Sequence, residues 1–393
     1  MSPFPSRFLH VAAARRTFGT GIDTLGHGLL RGDALADDAV RAVDGIAHTR
    51  LMGWLEAGAL HPSQLSDAPE ALRTFVRRCS EVPAWVDPNA ASRGGELLRR
   101  AGQLAGLVLA AKCIVLGYAS PGGNKPLMMS ARLLEQAPQR LNETARFVRA
   151  VSAPGGALPG APGHTLTMQV RLMHARVRTR LERSASWDAN AWGTAINQHD
   201  MAATVVLFSH ELVTGLQCLG LRVGEDEDRD SAHLWRYVGH VMGVDADVLP
   251  ATSADAARYM QMVRATQGAP DDDARALMHA LLMAAYRSPN DKVRANAARE
   301  AQLLRAAAAL LLPADIAREL RVDKGATPTV LPALRTVLGL AARLGVPRGR
   351  LRKLALSAGD RYWDSLSQEG LRVYGAGFAL PEVLGRSRKD ELS

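Results

Sequence analysis

Val170-Arg171-Leu172-Met173-His174-Ala175-Arg176-Val177-Arg178-Thr179-Arg180-Leu181 is the stretch from which this chain is best read. It contains no Gly or Pro, and Leu, Met, Ala and Arg are strong helix formers. Wound at 3.6 residues per turn, Val170, Met173, His174, Val177 and Leu181 share one face. His174 therefore points where the apolar residues point. Arg171 and Arg178 lie one turn before it and one turn after it, together on one flank of that face.

The same composition runs through most of the chain, so an all-α protein is expected. Helices are expected at 37–57, 69–80, 90–118, 128–135, 137–152, 164–183, 198–220, 228–242, 253–266, 271–284, 293–312, 314–321, 328–345 and 348–363. Alternating β-branched and aromatic runs, the mark of strands, are scarce. The turn-rich segment 117–124 and the Pro/Gly-rich segment 153–163 are the clearest breakers. The expected layout is N-terminal accessory helices at 1–80, a central helical core at 81–270 and C-terminal accessory helices at 271–393, together one compact, large helical domain.

The chain has 393 residues, 47% of them hydrophobic and 22% charged, which are globular values. Its net charge of +9 is spread along the whole length and is mostly Arg. A nucleic-acid surface would gather basic residues into a stripe with interleaved aromatics, and aromatics are only 5%. Nucleic acid is therefore not an expected partner. No run approaches 18 apolar residues without a charge, so no membrane span is expected; the longest apolar stretches, near 104–111 and 202–208, have the length of core helices. Cys79, Cys113 and Cys218 form no CxxC and no zinc spacing, and their odd number argues against a disulfide framework. Arg15-Arg16-Thr17-Phe18 resembles a twin-arginine export signal, but no apolar stretch follows it. Localisation is left open: cytoplasmic as written, secreted or periplasmic if a leader was removed. Oligomeric state leaves no trace in the sequence.

His174 has two readings. A histidine on an apolar helical face is commonly a hydrogen-bonded core residue. It is also a natural iron ligand, because a neutral imidazole suits iron and an apolar wall keeps it neutral. The two flanking guanidinium groups suit a pair of carboxylates, and haem offers both an iron and two propionates.

Gln139-Arg140-Leu141-Asn142-Glu143-Thr144 places Arg140, Glu143 and Thr144 on one helical face. Exposed, they would amount to a surface Arg–Glu pair; buried, they form a polar cluster that needs partners. Further on, Ile196-Asn197-Gln198-His199-Asp200-Met201 reads as an N-cap at Asn197 with Asp200 three residues later, a variant capping box. In Leu234-Trp235-Arg236-Tyr237-Val238-Gly239-His240-Val241-Met242-Gly243, the two glycines allow close helix approach and His240 is a second polar group near the core.

Taken in order, these segments resemble the latex clearing proteins, rubber oxygenases, and the wider haem oxygenase family around them. The matching pieces are Pro83-Ala84-Trp85-Val86-Asp87; Arg140 with Thr144; Arg171, His174 and Arg178; Ile196-Asn197-Gln198 with Asp200-Met201; Phe208; and Leu234-Trp235-Arg236 with Gly239 and Gly243. They cover roughly residues 80–265. The resemblance implies a globin-like helical core binding haem b, with His174 as the proximal ligand of the metal. Arg171 and Arg178 would support the propionates or the ligand helix, and Arg140 and Thr144 would stand on the distal side. The implied reaction uses O2 to cleave carbon–carbon double bonds of cis-1,4-polyisoprene, giving oligo-isoprenoid aldehydes and ketones. The implied partner is thus an apolar polymer.

The chain departs from the family pattern at two places. Latex clearing proteins commonly carry Lys immediately before the distal Thr, where this chain has Glu143. They also use an upstream distal glutamate; Asn124 lies near that spacing, and Glu135 is the nearest acidic residue. A carboxylate at Glu143 is a candidate base for an allylic proton. Two alternatives stand beside this reading. One is a haem oxygenase acting on a smaller isoprenoid, prenylated metabolite or lipid; the other is a helical binding or scaffold protein without cofactor.

Overall fold

The computed structural model describes residues 3–60, 65–129, 137–323 and 348–375. Every regular element among them is helical. The expected all-α class is what the structure has. Glu135, the expected helix 328–345 and the part of 128–135 beyond Met129 lie outside the described residues.

The chain forms two compact units whose segments interleave along the sequence. The first comprises Met1–Gly95, Ala150–Val206 and Arg229–Thr266. It contains α1 (Val11–Phe18), α2 (Gly21–Gly28), α3 (Ala34–Ala42), α4 (His48–Leu60), α5 (Glu70–Ser80), α6 (Pro88–Gly94), α12 (Pro162–Glu182), α13 (Ala189–Trp192), α14 (Gln198–Val206), most of α16 (Glu225–Val241) and α17 (Ser253–Thr266). Helix α12 packs on α3 and α4, and α3 packs on α5. Leu51, Leu55, Leu72, Phe75, Met168, Leu172 and Ala175 are buried there.

The second unit comprises Glu96–Arg149, Leu207–Asp228 and Gln267–Ser393. It contains α7 (Glu96–Ala101), α8 (Gln103–Val108), α9 (Val115–Tyr118), α10 (Lys125–Met129), most of α11 (Ala137–Val151), α15 (Leu212–Cys218), α18 (Asp272–Leu282), α19 (Asp291–Ala295), α20 (Ala297–Leu311), α21 (Ala314–Glu319) and α22 (Arg348–Tyr374). Two π-helical turns, Leu109–Ile114 and Leu207–Glu211, pack against one another. Helix α22 lies on α7, where Arg99 and Asp360 pair through bonds of 2.8 and 2.7 Å and the Trp363 indole donates to the Leu98 carbonyl.

Several helices expected as single rods are broken. The 37–57 rod divides into α3 and α4 around Gly45, which takes φ +77°, a left-handed conformation that costs glycine little. The 90–118 rod becomes a series, with a turn of 90° at Gly102, φ +49°. Helices α1 and α2 fall in a segment given no element, because eight residues are too few to establish a period. By contrast α17 has the expected bounds, and α12 and α11 differ from expectation by one or two residues at an end. The run Gln198–Cys218 has the length and mean hydropathy, 1.2, to cross a membrane. It also carries His199, Asp200, His210 and Glu211, and 56% of its most apolar 18-residue window is buried, as in a core helix.

Candidate functional site

In the first unit, His174 sits half-buried on α12 with its Nδ1 atom shielded from solvent. The two arginines that bracket it are both buried. Arg171 Nε and Nη2 donate to the two carboxylate oxygens of Asp33 at 2.7 and 2.9 Å, and Nη1 donates to the Val241 carbonyl at 2.9 Å. Arg178 grips Asp37 through Nε and Nη2, the latter at 2.7 Å, and its Nη1 donates to the Ile196 carbonyl at 2.9 Å. Asp33 is also the N-cap of α3, accepting from the Ala36 amide. Such bidentate contacts use the guanidinium fork in its strongest geometry. Both guanidinium groups are thus engaged by carboxylates of this chain.

Motifs without evident chemistry gather around the same pairs. Ile196, whose carbonyl Arg178 holds, has φ +48°, an uncommon conformation for a β-branched residue. Asn197 caps α14, its Oδ1 accepting from the Asp200 amide while its Nδ2 donates to the Asp200 carboxylate. Gln198 donates to the carbonyls of Gly32 and Gly243 and accepts from the Asp245 amide. At Gly243, φ +87°, a side chain would collide with Arg171 Nε and Asp33 Oδ2, each 2.5 Å from where Cβ would lie. Gly239 is similarly close to Leu249 and Val205. Trp85 lies under Arg236, whose guanidinium carbon is 4.0 Å from the ring centroid, and edge-on to His240 at 6.1 Å.

Cys79 completes this region. Its thiol is 3.6 Å from Arg171 Nη1, and burial pushes its pKa up to about 11 despite the guanidinium. His164 Nε2 lies 2.9 Å from the Cys79 carbonyl, and burial lowers the imidazole pKa.

In the second unit, Arg140, Glu143 and Thr144 share α11. Glu143 is buried and accepts from Gln139 Nε2 at 2.9 Å, so it is not half of a surface ion pair. Arg140 and Thr144 are half-buried. Tyr118 lies within the electrostatic reach of Arg140; burial raises its pKa to about 12. Asn124 is fully buried: its Nδ2 donates to Asp271 and the Tyr118 carbonyl, while its Oδ1 has no partner among the described residues.

Sequence reasoning missed Asp33, Asp37 and a further charged pair. Lys112, buried, donates to the Glu211 carboxylate and the Thr214 hydroxyl at 2.7 Å each. Lys112 and Glu211 each belong to one of the π-helical turns, which are frequent at functional sites. The available signal was a charge ending each of the two long apolar runs.

Residues 98–344 match the model of a family described as ER-bound oxygenase mpaB/B'/Rubber oxygenase, catalytic domain. The chain belongs to this oxygenase family. A rubber oxygenase of Streptomyces sp. (strain K30) is 24% identical over 186 residues, 47% of this chain and 46% of the relative. The chain thus aligns with about half the length of that curated relative. A solved structure of latex clearing protein in the closed state superposes with a TM-score of 0.65 at 18% identity, covering 87% of this chain and 91% of that one. That likeness establishes a shared fold.

Proposed function

We propose that this protein is a haem b-dependent oxygenase that cleaves carbon–carbon double bonds of an apolar isoprenoid, with cis-1,4-polyisoprene as the leading substrate. Family membership supports oxygenase chemistry, and the name of the Streptomyces relative supports rubber as substrate. The observation that carries the haem reading is His174: a half-buried imidazole on a helix held on either side of it by ion pairs of buried arginines.

The donor set fits the group. Among the described residues no three His, Cys, Asp or Glu side chains converge as a protein-built metal site. A single fixed imidazole suits an iron that brings its remaining ligands in a macrocycle. When bound, haem supplies the redox-active iron for O2 chemistry. His174 would hold that iron. The resemblance gives Arg140 and Thr144 the distal side, where they would offer hydrogen-bond donors to an oxygen atom that gains negative charge, and Glu143 would accept an allylic proton and return it, since the overall cleavage leaves the hydrogen count unchanged. In the overall cleavage one oxygen atom of O2 ends on each carbon of the double bond, giving an aldehyde and a ketone.

The test is the visible spectrum of purified protein, as isolated and after dithionite with and without carbon monoxide, beside His174→Ala. A Soret band in the wild type, lost or strongly altered in the variant, supports the assignment. Mass spectrometry of carbonyl products then separates long polyisoprene from short isoprenoids as substrate. Folded wild type that takes up no haem when haem is ample sinks the reading.

A further inference from the structure

We propose that Asp33 and Asp37 are positioning residues for His174, forming with Arg171 and Arg178 a two-point clamp that fixes the ligand helix. This rests on the assignment of His174 as the haem ligand.

The aspartates stand four residues apart, one capping α3 and the other in its first turn. The arginines stand seven residues apart on α12, two turns, with His174 three residues after the first and four before the second. One ion pair would leave a helix free to pivot about the contact. Two pairs separated along the axis fix both rotation and slide, and the residue between them inherits that fixity. Both arginines are bonded beyond their carboxylates, to the carbonyls of Val241 and Ile196, so each guanidinium is tied at more than one point.

The surroundings are shaped to the same end. Gln198 bonds the carbonyl of Gly32, immediately before Asp33, and that of Gly243, beside Arg171. Gly32 leaves room for Arg178, whose Cδ and Nε would be 3.1 Å from any Cβ there. Residues scattered from 32 to 243 therefore converge on two guanidinium groups, and those two groups flank His174. A pair serving stability alone has no need of that location. Groups that orient a metal ligand typically alter metal affinity on the order of 10- to 100-fold when removed.

The test uses Asp37→Asn, with Arg178→Lys as a second variant, because the pair at Asp37 is less enclosed than that at Asp33. A control is Asp230→Asn, which weakens the Arg93–Asp230 pair between α6 and α16, a pair that shares no bond with the clamp residues. Haem affinity, Soret position, midpoint potential and thermal unfolding are measured on each protein. The expected result is haem binding weaker on the order of tenfold or more, with a shifted potential, in the folded Asp37 and Arg178 variants. The control should lose stability and keep the wild-type potential. Folded Asp37→Asn with wild-type affinity and potential overturns the proposal, as does an equal shift in the control. Wild type that binds no haem overturns the haem reading itself, an outcome visible before any variant is compared.

Discussion

The Asp33 carboxylate and the Arg171 guanidinium, 138 residues apart in the chain, face one another through two bonds of 2.7 and 2.9 Å, with side chains 5% and 9% exposed. Neither charge can return to water while the fold persists. In an apolar interior, each partner is what makes the other tolerable.

Removing one member of this pair should therefore be severe. Asp33→Ala or Arg171→Met leaves an uncompensated buried charge, and the expected loss is about 3–5 kcal/mol in urea unfolding. The double variant Asp33→Ala with Arg171→Met should lose less than the sum of the singles, because no charge remains to be desolvated. Strict additivity of the two losses would show that the pair does not act as a unit.

Gly243→Ala should destabilise through two separate causes. At φ +87° an L side chain is strained, costing about 1–2 kcal/mol. Its Cβ would also press on Arg171 and Asp33 at 2.5 Å, and overpacking adds about 1–3 kcal/mol. Thermal unfolding of the variant checks this, and an unchanged melting temperature would refute it. The damage should be concentrated at the clamp, so the loss should shrink when Arg171 is already replaced by Met.

Local sequence carried the helices whose apolar period was long and unbroken, such as α12 and α17. It carried the Asn197 cap as well, because capping depends on residues three apart. Asp33 and Asp37 could not be read in this way. Each looks like an ordinary acidic residue at a helix start, and its partner lies far along the chain. The choice between a surface pair and a buried cluster at Arg140 and Glu143 stayed open for the same reason: the sequence shows the face they share but not what covers it. Lys112 was hidden by its neighbours, since an apolar run ending in one lysine reads as the edge of a helix. The π-helical turn that holds it has no pattern of its own.

Acid should weaken the fold through His199. Burial lowers its folded pKa to about 4, against 6.5 for the free side chain. Above pH 6.5 the imidazole is neutral in both states, and its contribution to stability is complete. As pH falls from 6.5 towards 4 the unfolded chain gains a proton that the folded one resists, so stability declines by up to roughly 3 kcal/mol. His199→Gln should flatten that part of the profile. Urea unfolding at pH 7.5 and 4.5 on both proteins isolates the difference, because His164, His210, His233 and His240, also lowered by burial, contribute equally to each. Parallel profiles would remove His199 as the acid-sensitive group.

Glu143 offers the sharpest division between a structural and a chemical part. It is 6% exposed and accepts a hydrogen bond from Gln139 Nε2 at 2.9 Å. Glutamine has the same shape and keeps an oxygen to accept that bond, so Glu143→Gln should alter stability by only about 1 kcal/mol and leave haem uptake intact. What glutamine lacks is the capacity to hold a proton taken from carbon. Base catalysis by a placed carboxylate contributes on the order of 100-fold or more, so under the proposed function turnover of the isoprenoid substrate should fall by about that factor. The loss should appear in kcat, with the Soret band, haem affinity and carbon monoxide spectrum matching the wild type. Undiminished turnover in a correctly loaded variant would take Glu143 out of the reaction and leave its burial as packing alone.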